Sequence, residues 1–381
     1  MFGYFVILLG FLLIVLAQAS VYRRMSFDRL TYHCSFSKTE VFEGDEFELI
    51  EVLENRKFLP LPWMKSQITV DRSLEISEEY SMVNDTVRTV TGYFSIPGKN
   101  RFERRWKVKA TRRGDFLISN VTLVASDLFG RVTASKPMAM EVRVTVLPQP
   151  LYADSIPPAH SSSWGDTVVR AYFPEDPFYL SGVREYTGRE PLSAIHWKAT
   201  AKMQELMVYR KDCTANRSLL ILLNMQSRSG ERFLVQDKDT VEDAIRVCAS
   251  LLDGTVEESI PVQLLSNGTV TPDKDFMKGK FKANKDAKDV RSVNSYGEAH
   301  VMQLMRMLSN LQYYTVETFD RWLLSQDATA SEIAIISGYC SDGIVEYIRS
   351  KQQEANVRLY ICGKGDAVVP EDIPYCLVRE V

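Results

Sequence analysis

"SLLILLNM", Ser218–Met225, is an unbroken apolar run of strand length closed by an amide. No polar alternation interrupts Leu219–Leu223, so a strand here must be covered on both faces, as strands of parallel sheets are. The residues that follow agree. "TVEDAIRVCASLL" (240–252) switches to helical spacing through Val241, Ala244, Ile245, Cys248, Leu251 and Leu252. "SIPVQLLS" (259–266) is again a strand. "YGEAHVMQLMRMLSNLQ" (296–312) is a helix with Val301, Leu304, Met305, Leu308 and Leu311 on one face, most simply core packing. "EIAIIS" is a strand, "DGIVEYIRSKQQEA" a helix, "VRLYICG" a strand and "PYCLVREV" a last short strand. Alternating strands and helices predict a mostly parallel sheet covered on both faces across residues 218–381. The polar stretch "TPDKDFMKGKFKANKDAKD" reads as an exposed insertion.

Upstream the period changes. "RWKVKA" sets Trp106, Val108 and Ala110 against Lys107 and Lys109, and "MEVRVTVLP" sets Val142, Val144 and Val146 against Glu141, Arg143 and Thr145. Period two with one polar face means half-buried strands. Turn signals such as "FEGDE", "IPGKN", "RRGDF" and "SDLFGR" separate them, which predicts an antiparallel β-sandwich over 30–148. The basic run "RFERRWKVKATRR" is a solvated strand face by its alternation, although its charge would also suit a lipid surface. Residues 149–217, with the Pro- and Ser-rich "SIPPAHSSSWGD", read as an irregular connector.

The amino terminus, "MFGYFVILLGFLLIVLAQASVY", carries no charge before Arg23. About 20 such residues span a bilayer core, so residues 1–22 are an expected single-pass transmembrane anchor. Arg23, Arg24 and Arg29 keep the body in the cytoplasm by the positive-inside rule. The alternative is export, with cleavage at Ala19 in Ala17-Gln18-Ala19, but no basic residue precedes the apolar run.

Composition excludes some functions. The 381 residues are 45% hydrophobic and 25% charged, with net charge −3 and a pI near 6.0. A nucleic-acid binder would normally be basic. The six cysteines (34, 213, 248, 340, 362, 376) form no C-x-x-C pair and the four histidines are scattered, so spacing supports no zinc site. Buried reduced thiols of a cytosolic domain are the simplest reading of Cys248, Cys340 and Cys362.

Ligands of open parallel sheets bind at the carboxyl ends of strands. The first such end offers Asn224, Gln226 and Arg228, where a divalent cation would want Asp and Ser at alternate positions. The site is degenerate: the amides lend no charge and Arg228 repels a cation. The second end is Ser337-Gly338-Tyr339-Cys340. The third, "GKGD", lacks phosphate-loop spacing. A Cys213–His196 nucleophile pair is a formal alternative without an identifiable orienting acid.

"REYTGREPLSAIHWKATAKMQELMVYRKD" (184–212) concentrates arginines, carboxylates and an aromatic anchor, Trp197. It reads as a polar clasp pinning the connector to the sheet, or as a docking surface.

At these residues the chain resembles the bacterial domain-of-unknown-function 58 family. Arg184 and Tyr186 match the start of that family's motif. Pro191, Leu192, Ile195, His196, Trp197 and Lys198 match its centre, and Ala201, Leu206 and Val208 its tail. "VFEGDEFELIEVLEN" and "RRGDFLISNVTLVASDLFGR" extend the likeness upstream. Arg189 and Glu190 depart from the family's Gly-Asp, and Asn224–Arg228 departs from its Asp-x-Ser-x-Ser metal signature. The family commonly begins with two membrane helices; one is visible here.

The resemblance implies a von Willebrand factor A-like three-layer α/β domain at the carboxyl end and a membrane-anchored body in the cytoplasm. It also implies a MoxR-type AAA+ ATPase, or another membrane-complex protein, as partner. The expectation is therefore an α+β multidomain protein acting as a non-enzymatic adaptor or assembly factor, with no catalytic residues and no cofactor. The alternatives are an exported adhesive module and a Cys/His hydrolase-like enzyme.

Overall fold

The structure, a computed structural model, describes residues 2–76, 81–84, 86–130, 133–151, 180–186, 195–211, 217–270, 288–327, 329–363 and 369–378. The chain forms two compact units, Met1–Gln149 with Met305–Leu311, and Pro150–Leu304 with Gln312–Val381. It is an α+β multidomain protein, as expected.

The first unit begins with helix α1 (Phe2–Met25), which is long and apolar enough to cross a bilayer. It runs one turn beyond the apolar stretch, through Arg23 and Arg24, whose charge suits a helix carboxyl end. Strands β1 (Leu30–Phe36), β2 (Glu40–Phe42), β3 (Glu46–Asn55), β4 (Leu61–Asp71), β5 (Leu74–Ile76), β6 (Ser81–Val83), β7 (Val87–Ile96), β8 (Asn100–Ala110), β9 (Gly114–Ser126) and β10 (Thr133–Leu147) follow. They form two sheets, ordered β1-β3-β8-β5 and β2-β10-β9-β4-β7-β6. The pairing is antiparallel except that β2 lies parallel to β10, so the expected all-antiparallel sandwich carries one parallel edge. Such a pairing is invisible in the residue pattern because β2 spans only Glu40–Phe42.

Both sheets bury their alternating apolar residues in one core, with Leu49, Leu53, Ile68 and Trp106 essentially inaccessible. Lys107 and Lys109 stay on the exposed face of β8, and Arg105 pairs there with Glu48 and Glu103. A carboxylate, Glu51, lies inside the sandwich core. Glu51 accepts hydrogen bonds from Tyr32 Oη (2.9 Å) and Trp106 Nε1 (2.5 Å). A buried indole N–H needs such a partner.

The helix is fastened to the sandwich without slack. Val15 and Tyr22 are buried, and Tyr22 belongs to the sandwich core. Tyr22 Oη donates to the Pro60 carbonyl (3.0 Å) and Gln18 Nε2 to Asp127 Oδ2 (2.7 Å). Lys57 Nζ donates to the Ser26 carbonyl (2.7 Å).

The second unit opens with the hairpin β11 (Leu180–Glu185) and β12 (Met207–Lys211), with helix α2 (Trp197–Met203) in its connection. The expectation of an irregular connector is corrected over this part. The strands lie far apart in sequence and α2 is short, so no local periodicity announced them.

Next come β13 (Leu219–Leu223), α3 (Lys238–Glu258), β14 (Val262–Ser266), β15 (Val290–Arg291), α4 (Glu298–Ser309), α5 (Phe319–Leu323), β16 (Glu332–Ser337), α6 (Asp342–Lys351), β17 (Asn356–Cys362) and β18 (Tyr375–Val378). The sheet order is β15-β14-β13-β16-β17-β18, parallel except for β15. All of β13 is buried, as its unbroken apolar run requires. Leu220 and Leu222 pack in a cluster with α5 and α6, while α3 contacts β13, β16 and β17. The apolar faces read for α3 and α4 are buried throughout. The polar insertion runs over 271–289, of which 271–287 lie outside the described residues.

Candidate functional site

The sheet order reverses direction at β13: β14 adds on one side, β16 and β17 on the other. The crevice beyond the carboxyl ends of β13 and β16 is where open α/β sheets bind ligands. Here the chain fills it with its own polar groups. Asn224 Nδ2 donates to Ser337 Oγ (2.9 Å), across the β13–β16 pair. Asn224 Oδ1 accepts from Gln226 N (2.9 Å), and Asn267 Oδ1, at the end of β14, accepts from Met225 N (2.8 Å).

Gln226 is buried and used at both ends. Its Oε1 accepts from Phe319 N (2.6 Å) and Tyr339 Oη (3.1 Å), and its Nε2 donates to the Glu231 carbonyl. The carboxylate of Glu231 is buried too. It accepts from Ser227 N (2.7 Å), Ser227 Oγ (2.6 Å) and Gln236 N (3.2 Å).

Helix α3 closes over this end. Its cap, Asp237, accepts from Asp239 N and Thr240 N, and Ser227 Oγ accepts from Asp237 N. The approach is so close that glycine is required beneath it. A Cβ at Gly338 would lie 2.7 Å from Thr240 Cγ2 and 3.0 Å from the Ser227 carbonyl oxygen. Gly363, at φ +106°, meets the same threonine. Arg228 is turned to solvent, so the cation-repelling role read for it is not exercised inside the network.

Asn224 and Gln226 thus sit where the sequence put them, but as hydrogen-bond hubs. No group of three metal-ligating side chains exists among the described residues. Sequence reading missed Glu231 and Asn267. A carboxylate four residues after Ser227 in a Ser-Arg-Ser-Gly turn was the available signal for Glu231.

Among the described residues the thiols are not activated. Burial pushes Cys34 up to about 12 and raises Cys248 and Cys362 as well. Cys340, half-buried rather than buried as expected, is raised by burial and by Asp342 and Asp320, and Cys376 is raised by burial. Thiols shifted upward are poor nucleophiles at neutral pH. Tyr339 is likewise pushed up to about 12, chiefly by burial.

The family-like segment lies on the hairpin. Arg184 is paired with Val208 across β11 and β12, and Tyr186 N donates to the Leu206 carbonyl (2.8 Å). Ile195 is buried and bridges to Val208. His196 caps α2, its Nδ1 accepting from Ala199 N at 2.9 Å. Trp197 is 67% exposed, Lys198 and Ala201 are exposed, and Met203 and Leu206 join them at the surface. The expectation of Trp197 as a buried clasp is therefore corrected: α2 buries no residue. Helical spacing put an aromatic at the first position of a short helix whose packing comes from the flanking Ile195 and Met207. Pro191, Leu192, Cys213, Gly365 and Asp366 lie outside the described residues.

No family model and no curated protein matches the chain. Solved structures similar to part of it include a non-cellulosomal cohesin from the hyperthermophilic archaeon Archaeoglobus fulgidus, at 12% identity over 31% of this chain and 91% of that one, with TM-score 0.23. A cohesin module of a family 33 glycoside hydrolase from Clostridium perfringens matches at 12% identity over 31% and 96%, with TM-score 0.22. A CARDB domain from Pyrococcus furiosus matches at 13% identity over 32% and 91%, with TM-score 0.20.

Proposed function

We propose that this chain is a membrane-anchored, non-enzymatic adaptor or assembly factor. Helix α1 is the single-pass anchor, and Arg23 and Arg24 hold the body on the cytoplasmic side. The α/β unit is a von Willebrand factor A-like domain that has exchanged ligand binding for structural closure. One observation carries this reading: the polar side chains at the β13–β16 crevice are engaged by one another, with Glu231 bound to Ser227 where an outside ligand would need them free. The raised thiols add to it.

The docking surface is the hairpin segment, with Trp197, Lys198 and Met203 outermost. Exposed aromatic and cationic residues of this kind carry binding energy when a partner covers them. The resemblance to the domain-of-unknown-function 58 family supports a MoxR-type AAA+ ATPase as that partner.

The test is retention of such an ATPase by the full chain in nanodiscs, with and without nucleotide. Wild type retains it and Trp197→Ser does not, while hydrogen exchange across β11 and β12 stays unchanged. Retention by neither protein refutes the adaptor reading. Topology is read separately with a membrane-impermeant maleimide. Cys34 is buried and unsuitable, so the reporter is Arg72→Cys, on an exposed turn. Labelling in intact cells places the body outside and removes the ATPase.

A further inference from the structure

Strand register gathers several chain connections at one end of the sandwich. Leu30 pairs with Asn55, Asn55 with Asn100, Leu61 with Ile96, Trp63 with Ser126, and Ser126 with Thr133. The α1–β1 link and the turns 56–60, 97–99 and 127–130 therefore lie together beside α1. Turns that face water favour Gly, Asn, Asp, Ser and Pro. Here the outermost side chains are apolar: Phe58 is 80% exposed, Trp63 63%, Leu128 52% and Phe129 57%. Arg23 and Arg24 at the end of α1, Arg29 in the α1–β1 link and Lys99 are exposed, and Lys99 Nζ stands 3.8 Å over the Phe58 ring. The acids nearby are Asp28, which is exposed, Glu54, which is paired with Arg56, and Asp127, which is buried and accepts from Gln18.

Depth follows from the helix. Asp127 is bonded to Gln18, six residues before Arg24, so at 1.5 Å per residue the 127–130 turn reaches about 9 Å beyond the level of that arginine. Val15, further still along α1, is buried against the protein.

We propose that this end of the sandwich is seated in the bilayer itself. Leu128 and Phe129 lie at the hydrocarbon boundary, Trp63 and Phe58 in the interfacial layer, and the arginines and Lys99 at the headgroup phosphates. The inference rests on the reading of α1 as a membrane anchor. Aromatic residues at headgroup level with a basic rim are the usual chemistry of such a layer. The loops are built to stay in place: a Cβ on Gly98 would lie 2.2 Å from the Phe58 carbonyl oxygen, and Asn55 Nδ2 donates to both Leu59 and Pro97 carbonyls.

The test uses the full chain in nanodiscs of phosphatidylglycerol and phosphatidylcholine, with plain or brominated acyl chains. Phe129→Trp in a Trp63→Phe background reports position 129 by difference from its parent. Arg72→Trp reports the opposite end of β4. Wild type minus Trp63→Phe reports Trp63. Emission from positions 129 and 63 should fall with brominated lipid and resist aqueous acrylamide, while position 72 behaves in the reverse way. If the chain resists alkaline carbonate extraction but position 129 is quenched by acrylamide and not by bromine, the seating is wrong and the anchor stands. If neither quencher reaches position 129, protein covers the turn and the bilayer is the wrong occupant. If carbonate strips the chain from the bilayer, the anchor reading fails and the seating with it.

Discussion

Glu231→Ala tests the closed crevice most directly. The carboxylate accepts three hydrogen bonds, two from buried Ser227 and one from the part-buried Gln236 N–H. Water can reach the last, so the cost falls on Ser227 N–H and O–H, at about 1–3 kcal/mol for each buried donor left without a partner. Removing a buried carboxylate also relieves its desolvation, which returns part of that sum. A net loss of about 2–4 kcal/mol is expected, or roughly 30- to 1000-fold in the opening equilibrium.

The chain has two units, so a single unfolding curve would mix them. Native-state hydrogen exchange separates them by peptide. Protection should collapse in β13 and α3 and hold in β3 and β8, which serve as the internal control. Glu231→Gln keeps one acceptor oxygen and should lose about half as much free energy. A loss under tenfold in β13 for Glu231→Ala, or equal losses for the two variants, would refute the assignment of Glu231 as the group that fills this end.

Gly338→Ala drives a methyl to 2.7 Å from Thr240 Cγ2 and should destabilise the α/β unit by about 1–3 kcal/mol. Thr240→Ser in the same chain removes that methyl and should recover part of the loss, while the contact with the Ser227 carbonyl keeps recovery incomplete; exchange in α3 reads both. The sandwich should be alkali-sensitive. Cys34, raised to about 12, holds its proton in the folded state at pH values where the unfolded thiol loses it, near 9. Stability from this group is full below pH 9 and declines as pH rises towards 12. Tyr32 is raised in the same direction by burial and by Glu51. Cys34→Ala should flatten the slope measured by exchange in β1 and β3.

The fold was legible wherever local periodicity matched tertiary burial. Leu219–Leu223 and the stripe from Val241 to Leu252 announced a strand buried on both faces and the helix that covers it. Helix α5 was not legible because Phe319–Leu323 is barely one turn, and its apolar residues find partners only in α6 and the sheet. The hairpin β11–β12 escaped for the opposite reason, since its pairing spans a long connection. At the crevice, Asn224 and Gln226 were visible as substitutions for charged ligands. Their partners were not, because Asn224 meets Ser337 only after the chain has laid down three parallel strands. Trp197 shows the limit of residue type as a guide, for a large aromatic in a dense polar motif proved to be surface.

The Ser26 carbonyl, held by Lys57 Nζ, and Tyr22, set in the sandwich core, leave no free hinge between α1 and β1. A tether with slack absorbs a pull before passing it on. Here those contacts carry a tilt of the sandwich over to the helix. A force on the body would therefore reach whatever surrounds α1.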